Sequence, residues 1–83
     1  MKNDINYKNF NKIQKNIIKN LIKKEIRNLK NNEDYWGSEE NVNNENTIYD
    51  YFLENKIVNQ DWFDNRLKYT NVELLEELLK LTK

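Results

Sequence analysis

Carboxylates are the only side chains in this 83-residue chain whose spacing suggests catalytic or metal-binding chemistry. Asp61 and Asp64 are three residues apart, and Asp50 and Glu54 are four apart, so each pair falls on one face of a helix. Two such carboxylates can hold a hard cation or transfer a proton. Carboxylates near a helix start are more commonly a solvated face that the helix dipole favours, and we expect that simpler role here.

The residue types that most enzymes rely on are missing. The chain contains no His and no Cys, so it lacks the commonest general base, the most reactive nucleophile and most transition-metal ligands. Ser38 is the only serine, and it is not part of a nucleophile-elbow motif. The sequence therefore predicts no catalytic residue, no cofactor and no metal site, and it indicates a binding protein, not an enzyme.

Basic residues recur at helical spacing along the first third of the chain. The intervals between them are 4, 3, 4, 4, 4 and 3 residues, so on a helix they form one row about 33 Å long. This row, called the stripe below, consists of Lys8, Lys12, Lys15, Lys19, Lys23, Arg27 and Lys30.

The stripe has several interpretations. It is a solvated face, a partner for the protein's own acidic residues, or a binding surface for an acidic protein or nucleic acid. Lys outnumbers Arg by eight to one in residues 1–31, and Lys acts as a point charge on phosphate, so nucleic-acid binding here is expected to be directed to the backbone. A membrane surface is the least favoured partner, because so small a domain needs the apolar face of this helix as core.

The charges are divided between two parts of the chain. Residues 1–31 carry nine Lys/Arg against two acidic residues, a net charge of +7, and residues 32–83 carry five against twelve, a net charge of −7. Such a division suggests either a charged partner or contact between the two parts.

Two acidic segments are further candidate partner surfaces. Tyr35 and Trp36 lie beside Glu39 and Glu40 and are either an aromatic anchor for a protein partner or a cover for the bundle, the second being preferred for Trp36. A later helix carries an acidic face that resembles a row of phosphates, formed by Glu73, Glu76 and Glu77.

Apolar periodicity predicts four helices and no strands. The first helix, over 6–31 and capped by Asp4 or Asn6, follows a disordered lead and has two apolar lines. The first line contains Phe10, Ile13, Ile17 and Leu21, and the second contains Ile18, Ile22, Ile26 and Leu29. A face this broad indicates a helix that packs against two neighbours, not a strict coiled-coil seam.

The rest of the chain is predicted as a loop over 32–46 and short helices over 47–56, 60–69 and 71–82. Asn46 or Thr47 is the expected cap of the second helix, Asn59 that of the third, and Thr70 with Glu73 has capping-box spacing at the fourth. The leucines of the fourth helix are interpreted as core in preference to a dimer seam.

These patterns predict one all-α domain over 1–83, a bundle of three to four helices with a long amphipathic first helix. No signal peptide or membrane span is visible, so we expect a soluble, cytoplasmic protein. The Asn, Lys and Ile content is typical of AT-rich genomes, including phages and mobile elements. The leading hypothesis is a regulator or inhibitor of a larger machine, such as a host nucleic-acid-acting enzyme; the alternative is nucleic-acid binding through the stripe. A homodimer is left open.

Overall fold

The computed structural model describes the backbone of residues 2–82 and the side chains of residues 12–82. These residues form four α-helices and one 3-10 turn, with no strand among them. The helices are α1 (Lys2–Asn31), α2 (Glu39–Glu54), α3 (Gln60–Asp64) and α4 (Asn71–Lys80), and the 3-10 turn spans Glu33–Tyr35. The predicted all-α bundle with a long first helix is confirmed.

Helix α1 starts earlier than the sequence pattern predicts. It begins at Lys2, so Asp4 and Asn6 lie inside the helix and neither caps it. Residues 2–31 contain no Gly or Pro, so no helix-breaking residue separates Lys2 from the predicted start. The helix ends at Asn31 as predicted, and the Asn32 amide donates to the Asn28 carbonyl at 3.0 Å.

Helix α2 begins eight residues earlier than predicted. The predicted loop over 32–46 is wrong from Glu39 onward, because α2 begins there and not at Thr47. Ser38 is the N-cap, and its hydroxyl accepts from the Asn41 amide at 3.1 Å. The first half of α2 shows no apolar period because its buried positions hold Asn41 and Glu45.

The last two helices are shorter than predicted but begin where expected. Asn59 caps α3, and Thr70 and Glu73 form the predicted capping box of α4. Helix α3 ends at Asp64, and the Arg66 guanidinium packs 4.0 Å from the centre of the Trp62 ring and donates to the Trp62 carbonyl. The predicted third helix over 60–69 is therefore a single short helix followed by a turn.

Helix α1 packs against α2 and α4, and the core lies between them. The buried apolar side chains are Ile18, Ile22, Leu29, Ile48, Phe52, Val58, Leu75 and Leu78. The leucines of α4 thus serve mainly as core, as predicted, with Leu74 and Leu79 half-buried.

Only the second apolar line of α1 enters the core. In the first line, Ile13 and Ile17 are 56% and 59% exposed, and Leu21 is half-buried against the core. The expectation that the whole apolar face packs against the later helices is therefore wrong for Ile13 and Ile17. Leu67 and Tyr69 are also exposed, because α3 ends before them and they lie in a turn.

Candidate functional site

The stripe lies on the surface of α1. Its side chains from Lys12 onward are exposed except for the half-buried Lys19, whereas the side chain of Lys8 lies outside the described residues. Within residues 12–82, Lys30 is the stripe member that forms an ion pair, 3.6 Å from Glu76 of α4. The protein's own acidic residues therefore leave Lys12, Lys15, Lys19, Lys23 and Arg27 without an ion-pair partner in that range.

The N-terminal half of α1 extends past the bundle. The 30 residues of α1 correspond to about 45 Å, close to the longest dimension of the molecule, 48 Å. Helix α2 has 16 residues and covers only about 24 Å. None of the side chains of residues 12–17 is buried. We call the part of α1 before Ile18 the arm.

The aromatic segment after α1 folds back on the end of that helix. The Tyr35 hydroxyl donates to the carboxylate of Glu25, and the Trp36 indole donates to the Leu29 carbonyl at 2.7 Å. Leu29 is in the last turn of α1, where carbonyls lack helical partners, so Trp36 caps the helix while its ring stays 41% exposed. Glu39 and Glu40 are exposed in the first turn of α2. The covering role preferred for Trp36 agrees with this geometry.

Two buried carboxylates lie beneath this segment, and sequence reasoning missed both. Glu25 is fully buried and Glu45 is 9% exposed. One amide joins them, since Asn41 Nδ2 lies 3.0 Å from Glu25 Oε2 and 2.7 Å from Glu45 Oε2. The Asn41 oxygen accepts from the Gly37 amide at 3.0 Å. This cluster ties α1 to α2 through hydrogen bonds in place of apolar packing.

The remaining partners of both carboxylates are uncharged. Glu25 also accepts from Asn44 at 2.7 Å, and Glu45 accepts from Tyr49 at 3.2 Å and from Asn71 at 3.1 Å. Asn71 is the first residue of α4, so the positive end of that helix dipole favours the charge on Glu45. The ion pairs formed by residues 12–82 involve Glu76 and Glu77 and neither buried carboxylate.

The two tyrosines of the cluster hold their protons strongly. Burial is the main reason why the pKa of Tyr35 is raised to about 12, and the hydrogen bond to Glu25 is the second. Burial and the charge of Glu45 raise the pKa of Tyr49 above its usual range. Both tyrosines therefore act as hydrogen-bond donors at neutral pH. The cluster is closed to solvent at Glu25 and Asn41, so its geometry suits a structural role. We call Glu25, Asn41, Glu45 and their hydrogen-bond partners the clamp.

A sequence signal for the clamp exists in hindsight. Glu25 follows Ile18 and Ile22 at core spacing and precedes Leu29 by four residues, so a carboxylate occupies a place where the pattern calls for an apolar side chain. Asn41 and Glu45 are four residues apart and face the same side of α2.

The acidic face of α4 lines a shallow groove together with Tyr69 and Lys80. Glu73 closes the capping box, Glu76 pairs with Lys30, and Glu77 pairs with Lys80 at 3.6 Å. All three carboxylates therefore have partners within the molecule, which weakens their similarity to a row of free phosphates.

The carboxylate pairs singled out from the sequence remain on the surface. Asp50, Glu54, Asp61 and Asp64 are exposed, and Asp64 accepts from the Gln60 amide at 3.1 Å. No group of three or more acidic side chains in the described part of the chain is arranged to hold a metal ion. No helix within residues 2–82 is both long and apolar enough to cross a bilayer.

Comparison of the chain with protein-family models, with curated proteins and with solved structures found no match.

Proposed function

We propose that this chain is a non-enzymatic binding protein that docks on a larger protein or nucleoprotein assembly through the stripe and thereby regulates or inhibits it. One observation carries the proposal: the stripe is exposed along α1, and from Lys12 to Arg27 it makes no ion pair with the described carboxylates. A surface that serves only to balance the acidic residues of the same molecule is expected to be paired with them.

The geometry of the stripe suits an extended acidic surface. Lys12 and Arg27 lie about 22 Å apart along a continuous helix, which fixes the register of the cations between them. Single exposed ion pairs contribute only about 0.2–1 kcal/mol each, so useful affinity requires that several form together. The partner is therefore a surface with a row of carboxylates or phosphates, not a single acidic residue.

Affinity purification from the source cell, with and without nuclease, tests this proposal. We expect a partner to be recovered by the wild-type chain and lost with Lys12→Glu/Lys15→Glu. The control is Lys56→Glu/Lys68→Glu, which changes the charge equally at two exposed lysines outside α1. Equal recovery by both double variants, or recovery of nothing but the chain itself, would show that the stripe is not the docking surface.

The effect of nuclease identifies the kind of assembly. A partner that remains bound after nuclease treatment is contacted through protein. Inhibition of a nucleic-acid-acting enzyme is the specific form of the proposal, and it requires that the captured partner lose activity when the wild-type chain is added. The stripe variant is expected to leave that activity intact.

Direct nucleic-acid binding is the second candidate, and the same unpaired cations favour it. Five stripe residues, from Lys12 to Arg27, make no ion pair within residues 12–82, and five phosphate contacts on a duplex predict a slope of about −4.5 for log affinity against log salt. Affinity for a fluorescent duplex is then expected to fall by about 500-fold between 50 and 200 mM salt, and affinity for a single strand by about 100-fold. Absence of binding at low salt, or a salt slope that is the same in Lys12→Glu/Lys15→Glu, would exclude this candidate.

A further inference from the structure

The molecule exposes more surface than a compact monomer of its size. Its accessible area is 6280 Å² for a mass of 10.2 kDa. The area expected for a folded monomer of this mass is about 5,300 Å², so the excess is about 1,000 Å². The molecule is also elongated, with extents of 48 × 26 × 21 Å. A standard protein–protein interface covers about 800 Å² on each partner, an area comparable to this excess.

Two exposed apolar residues of the arm, Ile13 and Ile17, begin a heptad spacing that the polar residues Asn20 and Lys24 continue beyond the arm. Ile13, Ile17, Asn20 and Lys24 are spaced 4, 3 and 4 residues apart, and all four are exposed. Phe10, whose side chain lies outside the described residues, holds the preceding position of the same repeat. Positions with this spacing form the seam of a coiled coil. We call these five positions the seam.

The charges around the seam favour a second helix of the same kind. The flanking residues Gln14 and Asn16 are uncharged. At about 100° per residue, Lys12, Lys15 and Lys19 lie about 120–180° from the seam. Two arms can therefore meet along their seams with Lys12, Lys15 and Lys19 on the outside, where water screens them from each other.

We infer that the occupant of the seam is a second copy of this chain, paired through its arm as a short antiparallel coiled coil. The antiparallel orientation follows from the charges outside the arm: residues 18–83 carry ten Lys/Arg against thirteen acidic residues, a net charge of −3, and parallel arms would place two such bodies side by side. Antiparallel arms place the bodies at opposite ends and bring Ile13 of one copy against Ile17 of the other.

This inference goes beyond the proposed function and does not depend on it, because the dimer forms without any partner. It adds a consequence for the stripe. The dimer carries two stripes on opposite outer faces of one paired rod, so it offers two separate binding surfaces for acidic partners.

Sedimentation equilibrium at high micromolar concentration tests self-association. We expect a dimer mass for the wild type and a monomer mass for Ile13→Gln/Ile17→Gln, with the dissociation constant raised more than about 100-fold because four apolar side chains leave the interface. Gln keeps the helix propensity of the arm high. Leu67→Gln is the control, since Leu67 is 81% exposed outside the arm. Asn20→Leu is expected to tighten the association, because it makes the seam more apolar.

Disulfide cross-linking tests the orientation, and the absence of native cysteine makes single-cysteine variants unambiguous. A mixture of Ile13→Cys and Ile17→Cys chains is expected to give the mixed disulfide in excess over both homodimeric products. Predominance of the homodimeric products would overturn the antiparallel arrangement. A monomer mass for the wild type, or a dimer that survives Ile13→Gln/Ile17→Gln, would overturn the inference itself. If Lys12→Glu/Lys15→Glu loses the captured partner but keeps the dimer mass, the result supports both the stripe as docking surface and the dimer, and it shows that the two are independent.

Discussion

Replacing Tyr35 by phenylalanine isolates the contribution of one hydrogen bond to the buried clamp. The hydroxyl of Tyr35 donates to Glu25, which is fully buried, and the substitution keeps the ring while removing this donor. A hydrogen bond to a charged group contributes about 1.5–3 kcal/mol to stability. We therefore expect Tyr35→Phe to lower the free energy of unfolding by about 2 kcal/mol at pH 7.

Burial of the Tyr35 hydroxyl and, after it, the hydrogen bond to Glu25 raise its pKa, and this shift predicts how the difference depends on pH. Folding raises the pKa of Tyr35 from 10.0 to about 12, so the folded state retains a proton that the unfolded state releases. The stabilisation is complete below pH 10 and is lost as the pH rises through 12. The loss is at most about 2 kcal/mol by pH 12, similar in size to the difference expected at pH 7. Tyr35→Phe and wild type are therefore expected to become nearly equal in stability there.

Urea unfolding of both proteins between pH 7 and 12 measures this difference. The control is Tyr69→Phe, because Tyr69 is 42% exposed and its hydroxyl makes no hydrogen bond to the side chains of residues 12–82. The titration of lysines contributes equally to all three proteins, so it cancels when the free energy of unfolding of each variant is subtracted from that of wild type. The clamp would be refuted as a source of stability if Tyr35→Phe and Tyr69→Phe unfolded at the same urea concentration at pH 7. A stability difference that stayed constant above pH 10 would refute the assignment of the pKa shift to Tyr35.

Three further substitutions test other parts of the fold by chemical denaturation. Asn41→Ala removes the amide shared by two buried carboxylates and is expected to cost about 3 kcal/mol, whereas the exposed Asn43→Ala is expected to change stability by less than about 0.5 kcal/mol. Thr70→Ala removes the cap of α4 and is expected to cost about 1 kcal/mol, most of which Thr70→Ser should restore. Gly37→Ala places a side chain at φ +76, where nothing else lies within 4 Å, so the expected cost of about 1–2 kcal/mol is purely conformational. Equal effects of Asn41→Ala and Asn43→Ala would contradict the clamp.

The elements that the sequence predicted well are those whose buried face is apolar. Helix α4 shows leucines on one side and a capping box at its start, and α1 shows two apolar lines without a breaking residue. In both cases the hydrophobic period and the caps agree, and the helix follows from local information alone.

The first half of α2 was missed because its buried face is polar. Asn41 and Glu45 face the interior only because Glu25 and Asn71, distant in sequence, supply hydrogen-bond partners there. A window of sequence around Asn41 contains no sign of these partners. Ser38 followed by Glu39 and Glu40 was the available local signal, since it combines an N-cap residue with acidic residues in the first turn.

The candidate site was predicted in part for the same reason. The residues of the stripe follow from helical spacing, but whether the acidic half of the chain pairs with them depends on tertiary contacts that a sequence does not specify. The exposure of Ile13 and Ile17 depends on the lengths of two helices, because α1 extends past a bundle whose second helix has about half as many residues.

The buried clamp and the exposed arm are connected through the rotation of α1. Its two apolar lines lie about 100° apart around the helix. Hydrophobic burial alone would therefore allow either line to face the other helices of the bundle. Glu25 lies on the second line, and its carboxylate finds donors only when that line faces Tyr35, Asn41 and Asn44. The other orientation would leave these donors unpaired and remove Ile18 and Ile22 from the core. A buried polar residue can specify one packing arrangement in this way, as polar residues do at coiled-coil interfaces. In this chain the selected arrangement is the one that leaves Ile13 and Ile17 on the surface and keeps the stripe clear of the bundle.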